Sequence, residues 1–168
     1  MSSAAKRKGS SWEREICDKL SKSLGGSFTR SMNSGAFIGG KNSHRKSSLS
    51  GNQISAMKGD IIPPDELPKL NIEAKNYKDI KFHQLIDGCC QQLDGWIDQT
   101  EEPAEETDVS FTIFKITRKG SWIVYRKTLH DFIVDSYVVY NKDGVEYVIT
   151  NFEVFLQNNS ETIKSIAK

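Results

Sequence analysis

The chain has 168 residues, enough for one domain with a substantial hydrophobic core. Hydrophobic residues make up 37% and charged residues 27%, an ordinary balance for a globular protein. It contains no run of about 18 apolar residues, and Met1–Lys8 lacks the apolar core of a signal peptide. We therefore expect an intracellular protein that neither spans a membrane nor is secreted.

Charge is distributed unevenly along the chain. Residues 1–60 carry eleven Lys/Arg and four Asp/Glu, whereas the remainder carries twelve basic and eighteen acidic residues. Basic charge gathered in one segment is the footprint of a phosphate-binding surface. A solvated basic tail combined with an acidic loop would give the same pattern, so charge alone leaves both interpretations open.

The three cysteines, Cys17, Cys89 and Cys90, have no C-x-x-C spacing. Their odd number and their spacing argue against a disulfide framework and against a zinc site. We expect them to be reduced and to serve mainly in packing.

The first predicted element is a basic, disordered tail over residues 1–9. A helix is then predicted from Ser10 or Ser11, because apolar residues recur at helical spacing until Gly25-Gly26 ends the run. A short strand over 27–30 follows. Residues 31–59 are basic and rich in Gly and Ser, which predicts an arm that becomes ordered on a polyanion. An insertion without a role is the alternative.

The rest of the chain predicts a β-rich core followed by a helix. Apolar residues from Phe82 to Ile97 keep helical spacing and predict one amphipathic helix. The order of elements predicts an α/β (α+β) domain over 10–168, with a mixed central β-sheet flanked by helices. The remaining predicted elements are strands at 61–62, 70–74, 109–117, 121–126, 137–140 and 145–149, an acidic loop at 100–108, a hairpin turn at 141–144, and a short last helix opened by a capping box at 150–153.

The strand over 70–74 carries the most informative side chains. Its period of two places Asn71, Glu73 and Lys75 on one face, while Leu70 and neighbouring apolar residues pack the other. Asp60 lies thirteen positions before Glu73. Separately, these residues are typical of an exposed sheet face and of a turn aspartate. Together they predict a site with two carboxylates and an ammonium.

Glu13 is a further candidate because of its position on the first helix. At about 100° per residue, Glu13 falls inside the apolar stripe and Glu15 falls on the opposite side. An inward carboxylate costs several kcal/mol unless it is paired or binds a metal. A capping box from Ser10 to Glu13 also explains this glutamate, and the two interpretations are compatible.

Such a set suits the cleavage of phosphodiester bonds. A divalent ion held by two or three carboxylates stabilises the charge of the transition state and acidifies a water molecule. Oxygen ligands without His or Cys favour Mg²⁺ or Mn²⁺ over Zn²⁺. Lys75 would orient the water or stabilise the developing charge.

The pattern Asp60…Glu73-Ala74-Lys75 resembles the signature of the PD-(D/E)XK nuclease superfamily. The run from Lys8 to Ile16 is similar to the opening helix of archaeal-type Holliday junction resolvases, and the match places an active-site glutamate at Glu13. The segment 28–31 resembles the next element of that family, a strand ending in a DNA-contacting Arg-Ser.

The resemblance implies a restriction-endonuclease-like core and a homodimer that acts on DNA. It implies that Glu13, Asp60 and Glu73 bind Mg²⁺, with Mn²⁺ as a substitute, and that Lys75 acts on the water. Gln92 would be a supporting residue, although an ordinary boundary glutamine is the alternative. Candidate DNA contacts are Lys8, Arg14, Arg30, Lys41, Arg45, Lys46 and Lys58.

The long basic segment and the extended C-terminal half depart from the archaeal pattern and resemble phage or viral members of the superfamily. We therefore expect the cytoplasm of a prokaryotic or virus-infected cell. The leading hypothesis is a structure-selective endodeoxyribonuclease that cuts four-way junctions or other branched DNA. A nuclease acting on linear or sequence-specific duplex is the alternative, and a non-catalytic DNA-binding module is a third interpretation.

Overall fold

The computed structural model describes residues 3–31 and 58–168, with side chains described from Lys8 onward. Residues 32–57 lie outside this range, so the predicted arm and its cations Lys41, Arg45 and Lys46 stay predictions. The elements in chain order are α1 (Ser3–Leu24), β1 (Thr29–Arg30), β2 (Ile61–Ile62), β3 (Leu70–Tyr77), α2 (Phe82–Ile86), α3 (Gln91–Glu101), β4 (Val109–Ile116), β5 (Gly120–Arg126), β6 (Tyr137–Lys142), β7 (Val145–Asn151) and α4 (Phe152–Ile166).

The seven strands form one mixed sheet in the order β1-β2-β3-β4-β5-β7-β6. β3 and β4 run parallel, with Leu70 beside Val109, and the other neighbours are antiparallel. Parallel neighbours need a crossover connection, which α2 and α3 provide here. The predicted α+β class with a mixed sheet flanked by helices is confirmed.

Two hydrophobic clusters cover the two faces of the sheet. Trp12 and Ile16 of α1 and Phe152 of α4 are fully buried in one cluster, together with Ile72 of β3. The other cluster contains residues of α3 and β4, including Trp96, whose ring lies 5.3 Å from the ring of Phe114. The sheet is therefore the middle layer between two layers of helices.

The predicted period of two along β3 is confirmed by the contacts of alternate residues. On one face, Asn71 donates to the carbonyl of Thr100 at 2.7 Å, and the ring of Tyr77 packs 4.9 Å from the ring of Trp96. Both partners belong to α3. On the opposite face, Asn76 donates to the carbonyl of Lys8 in α1 at 3.2 Å.

Two helix boundaries differ from the sequence predictions. α1 begins at Ser3, so residues 3–9 of the predicted disordered tail are helical and the predicted start near Ser10 is wrong. Because Glu13 then lies inside the helix, the capping-box explanation for it is also wrong. At the last helix, the side chain of Asn151 rather than Thr150 caps the backbone, accepting from Val154 N at 3.0 Å.

The single helix predicted from Phe82 to Ile97 is two helices. Gly88 has a φ of +68° and separates α2 from α3, which begins after Cys90. Such a φ favours glycine, because a Cβ is disfavoured in the left-handed region. The hairpin turn predicted between β6 and β7 is confirmed, with positive φ at Asp143 and Gly144.

No helix within 3–31 and 58–168 is both long enough and apolar enough to cross a bilayer. All three cysteines are free thiols, and Cys17 and Cys90 are buried as expected of packing residues. Cys89 is exposed in the turn between α2 and α3.

Candidate active site

Asp60 is held against the middle of β3 by two hydrogen bonds. Its amide donates to Ile72 O at 2.9 Å, and its carboxylate Oδ2 accepts from Ala74 N at 3.0 Å. Gly59 makes this close approach possible, since a Cβ there would lie 2.4 Å from Ile72 O. Asp60 therefore keeps a buried carboxylate beside β3, and the backbone before it accepts only glycine.

Glu73 is the second buried carboxylate, with 4% of its surface exposed. Burial, followed by the negative charge of Asp60, raises the pKa of Glu73 to about 7. Lys75 opposes this rise, and its Nζ donates to Glu73 Oε1 at 2.5 Å. Two carboxylates close together in a dry site repel each other, and a divalent cation bound between them would relieve this repulsion.

Lys75 is held from two sides. Besides Glu73, its Nζ contacts Oε1 of Gln99, which projects from α3. Gln92, the predicted supporting residue, instead donates to the carbonyl of Asp79 at 3.4 Å. The supporting glutamine at this lysine is thus Gln99, which sequence reasoning missed. Within α3, Gln92 is half-buried and Gln91 is exposed, as the helical angles predict, but the angles do not show that Gln99, about two turns further along, contacts Lys75.

Glu13 lies near the site but belongs to a different interaction. Its Oε2 accepts from Arg30 Nε at 2.8 Å, and its side chain is only 14% exposed. Ser31, which follows Arg30 in the chain, donates its backbone amide to the carbonyl oxygen of Asp60 at 2.8 Å. Across the described residues, no group of three or more His, Cys, Asp or Glu is close enough to hold one metal ion. The structure therefore brings together Asp60, Glu73 and Lys75, with Glu13 held by Arg30.

Lys58 is buried rather than available to DNA. Its Nζ donates to both carboxylate oxygens of Asp108, at 3.0 and 2.7 Å, and 5% of the residue is exposed. The prediction that Lys58 contacts a phosphate is wrong, because its charge is neutralised inside the protein. Among the other predicted contacts, Lys8 donates to Thr117 Oγ1 at 2.7 Å, and Arg14 is exposed on α1.

A family model described as "Phage putative PDDEXK endonuclease" matches residues 4–165, nearly the whole chain. The chain belongs to this family. Membership in the phage PDDEXK endonuclease family confirms the PD-(D/E)XK resemblance, and the sheet with its flanking helices fits a restriction-endonuclease-like core. No curated protein and no solved structure matches the chain.

Membership in the phage PDDEXK endonuclease family means that the protein is a nuclease, which hydrolyses phosphodiester bonds. DNA is therefore its expected partner. The donor set of Asp60 and Glu73 fits the divalent ion that such nucleases generally use. Both groups offer carboxylate oxygens, which Mg²⁺ and Mn²⁺ prefer. The raised pKa of Glu73 points the same way. Burial and the negative charge of Asp60 disfavour the ionised form of this carboxylate, and a bound cation would stabilise that form.

Proposed function

We propose that the protein is a metal-dependent endodeoxyribonuclease that cuts branched DNA, with four-way (Holliday) junctions as its main substrate. The observation that carries the proposal is the buried pair Asp60 and Glu73 with Lys75 directly beside it. Burying two carboxylates together costs free energy that a structural role would not require.

In this proposal, Asp60 and Glu73 hold Mg²⁺, for which Mn²⁺ substitutes. When bound, the ion supplies a Lewis acid for the scissile phosphate and lowers the pKa of a water molecule. Lys75, held by Glu73 and Gln99, points an ammonium at the reacting oxygens and donates a hydrogen bond to the attacking water or to the developing charge.

Glu13 remains a proposed third ligand. Its carboxylate accepts a hydrogen bond from Arg30 of β1. The next residue after Arg30, Ser31, donates its amide to the carbonyl of Asp60, so Glu13 is linked to the site through β1. Arg30 holds Glu13 through Nε only, so its Nη donors are available to a DNA phosphate. We propose that a phosphate bound there shares the positive charge of Arg30, which weakens its hold on Glu13 and lets Glu13 turn towards the metal.

The choice of branched DNA is supported by the similarity of residues 8–16 to the opening helix of junction resolvases. In the structure this run lies within α1, and α1 carries both Lys8 and Glu13. Cutting two opposed strands of a junction requires two active sites, so we propose a homodimer.

A sheet edge supports the dimer. Among the described residues, β6 pairs with β7 on one side and no strand pairs with its other side. It contains no proline, its one charged residue is the terminal Lys142, and Val138 and Val139 are 47% and 39% exposed. Such an edge strand has backbone N–H and C=O groups available to another strand. Antiparallel pairing with the same strand of a second copy would satisfy these groups in both copies by two-fold symmetry.

The dimer is tested by Val138→Lys in sedimentation equilibrium, with Val154→Lys as a control. Val154 is similarly exposed, at 41%, but lies on α4. We expect Val138→Lys to be monomeric and the control to dimerise as the wild type does. Dimers in both variants would place the interface elsewhere.

The function is tested by incubating the protein with a four-way junction and with a linear duplex of matched sequence, each with and without Mg²⁺. We expect cutting of the junction alone and only with the metal. Glu73→Gln should bind the junction but not cut it. Equal cutting of both DNAs would favour the linear-duplex nuclease. Unchanged turnover in Glu73→Gln would refute the metal-site assignment, and binding without any cutting would favour a non-catalytic module.

A further inference from the structure

A second group of cations lies where β3 and β4 end. The parallel strands finish at Tyr77 and Ile116, and the chain leaves both through exposed polar segments. We call this group the carboxyl-end surface. It comprises five cations and one acid, namely Lys8, Lys78, Lys81, Arg118, Lys119 and Asp79.

Hydrogen bonds join three elements into this surface. Lys8 of α1 reaches across to Thr117 Oγ1 at 2.7 Å, just after β4. Thr117 in turn donates its amide to the carbonyl of Tyr77 at 3.0 Å, at the end of β3. Asn76 donates to the carbonyl of Lys8. These bonds tie the start of α1 to the ends of β3 and β4, beside the turns and loops that carry the other cations.

Three of these cations have no ion pair. Within the described part of the chain, the exposed side chains of Lys78, Lys81 and Arg118 make no hydrogen bond and no ion pair, although Lys78 contributes, after Lys119, to lowering the pKa of Asp79. Arg118 has a φ of +63°, a conformation that costs an arginine roughly 1–2 kcal/mol. A turn that keeps a strained arginine at its tip is a candidate functional position. Lys119, by contrast, is paired with Asp79 at 2.7 Å.

The surface begins a short distance along the chain from the candidate active site. Lys78 follows Lys75 by three residues, which is about 10 Å of extended chain. That length corresponds to about three base-pair steps of a duplex. A DNA strand with its scissile phosphate at Lys75 therefore meets the carboxyl-end surface within its next few nucleotides.

The opposite end of the same strands could not bind the flanking DNA. Residues 100–108, which lead into β4, carry five acidic residues and no basic one. Asp108 of this segment already neutralises Lys58. Phosphates would be repelled from the amino end and attracted to the carboxyl end, which sets the direction in which the DNA leaves the site.

We infer that the carboxyl-end surface, through Lys78 and Arg118, binds the phosphate backbone of the DNA arm that flanks the cut. The inference rests on the proposed action on DNA, and it names the residues that determine the path of the substrate. Phosphate contacts position the DNA and carry no sequence code directly, so the effect should be alike for a junction arm and a linear duplex.

The test compares Lys78→Glu/Arg118→Glu with Lys22→Glu/Lys168→Glu, which changes the net charge equally. Lys22 lies on the last turn of α1, about 21 Å from Lys8, and Lys168 lines the cleft beside Leu24 at that same end. Binding of labelled junction and duplex is measured by fluorescence anisotropy in EDTA, over a range of salt concentrations.

We expect the first pair to weaken binding to both DNAs at least 10-fold and to reduce the salt slope by about 2. The control pair should change affinity less than about two-fold, since charges beyond a Debye length are screened. Equal losses in both pairs, or no loss in the first, would overturn the inference. The neutral pair Lys78→Gln/Arg118→Gln removes the same two phosphate contacts without adding negative charge, so it should also lower the slope by about 2 with a smaller loss of affinity, and it guards against misfolding.

These outcomes are independent of the proposed function. If the wild type binds and cuts DNA with Mg²⁺ but the first pair binds like the control, only the inference fails. If the wild type never cuts, the proposed function fails, while the anisotropy still reports on the carboxyl-end surface.

Discussion

The middle and the amino end of the parallel pair β3–β4 use buried charge in different ways. In the middle, Asp60 and Glu73 are two buried carboxylates, of which Glu73 contacts Lys75, and the pKa of Glu73 is raised. At the amino end, Asp108 and Lys58 form a closed ion pair. An ion pair closed inside the protein serves the fold, whereas an unbalanced pair of carboxylates is suited to a cation and to chemistry.

The largest expected effect is on cleavage by the site in the middle of β3. Asp60→Asn should slow cutting by on the order of 10³-fold, because a neutral amide no longer balances a divalent ion. Single-turnover cleavage of a junction measures it. Asp65→Asn, which changes an exposed acid between β2 and β3, should cut normally. A similar slowing in both variants would remove the special role of Asp60.

At the amino end, the corresponding substitution should affect stability. Asp108→Asn leaves the Lys58 ammonium buried without its counter-ion, which costs about 3–5 kcal/mol. Urea denaturation measures the free energy of unfolding. Glu105→Gln is the control, since its carboxylate is exposed and 3.6 Å from Lys58, a kind of pair worth at most about 1 kcal/mol. If Asp108→Asn kept its stability but lost cleavage, the contrast between the two regions would be wrong.

The raised pKa of Glu73 predicts how stability depends on pH without metal. The unfolded glutamate loses its proton near pH 4.5 and the folded one near pH 7, so the wild type loses stability across this window and stays destabilised above it. Glu73→Gln should therefore be more stable at pH 8 by about 1–3 kcal/mol, and unchanged at pH 4. Urea titrations in a chelator at both pH values check this. A less stable variant at pH 8 would mean that pairing with Lys75 outweighs the burial cost.

The smallest expected effect concerns the orientation of Lys75. Gln99→Ala removes one hydrogen-bonding partner and should reduce the cleavage rate about 10-fold, the equivalent of one hydrogen bond. DNA binding should be retained, because Gln99 is not placed on the phosphate path. Gln92→Ala should cut like the wild type. If Gln92→Ala instead slowed cleavage more than Gln99→Ala, Gln92 would be the supporting glutamine, as the sequence predicts.

Local patterns predicted most of the fold. The strands of the second half match because alternation of side chains and glycine turns are short-range signals, as at Asp143 and Gly144. The face shared by Asn71 and Lys75 follows from the same alternation. The start of α1 was misplaced because Ser10 and Glu13 imitate a capping box inside a helix that begins a full two turns earlier.

The parts of the site that could not be predicted depend on distant contacts. Lys58 forms an ion pair with Asp108, fifty residues later in the chain, and no local pattern predicts that Lys58 is buried. Gln99 lies 24 residues after Lys75 on a separate element, so no local pattern predicts their contact. Glu13 was correctly placed near the core side, yet its partner Arg30 comes from a two-residue strand whose position requires the whole sheet.

Gly59 shows that intolerance to mutation need not mark a chemical group. It has no side chain to offer, but any other residue would drive a methyl-sized group into the carbonyl of Ile72 and push Asp60 away from β3. A saturation screen for loss of cleavage should therefore rank position 59 alongside positions 60 and 73. In related phage sequences, the dipeptide Gly-Asp before a short apolar strand would identify this site more specifically than the aspartate by itself.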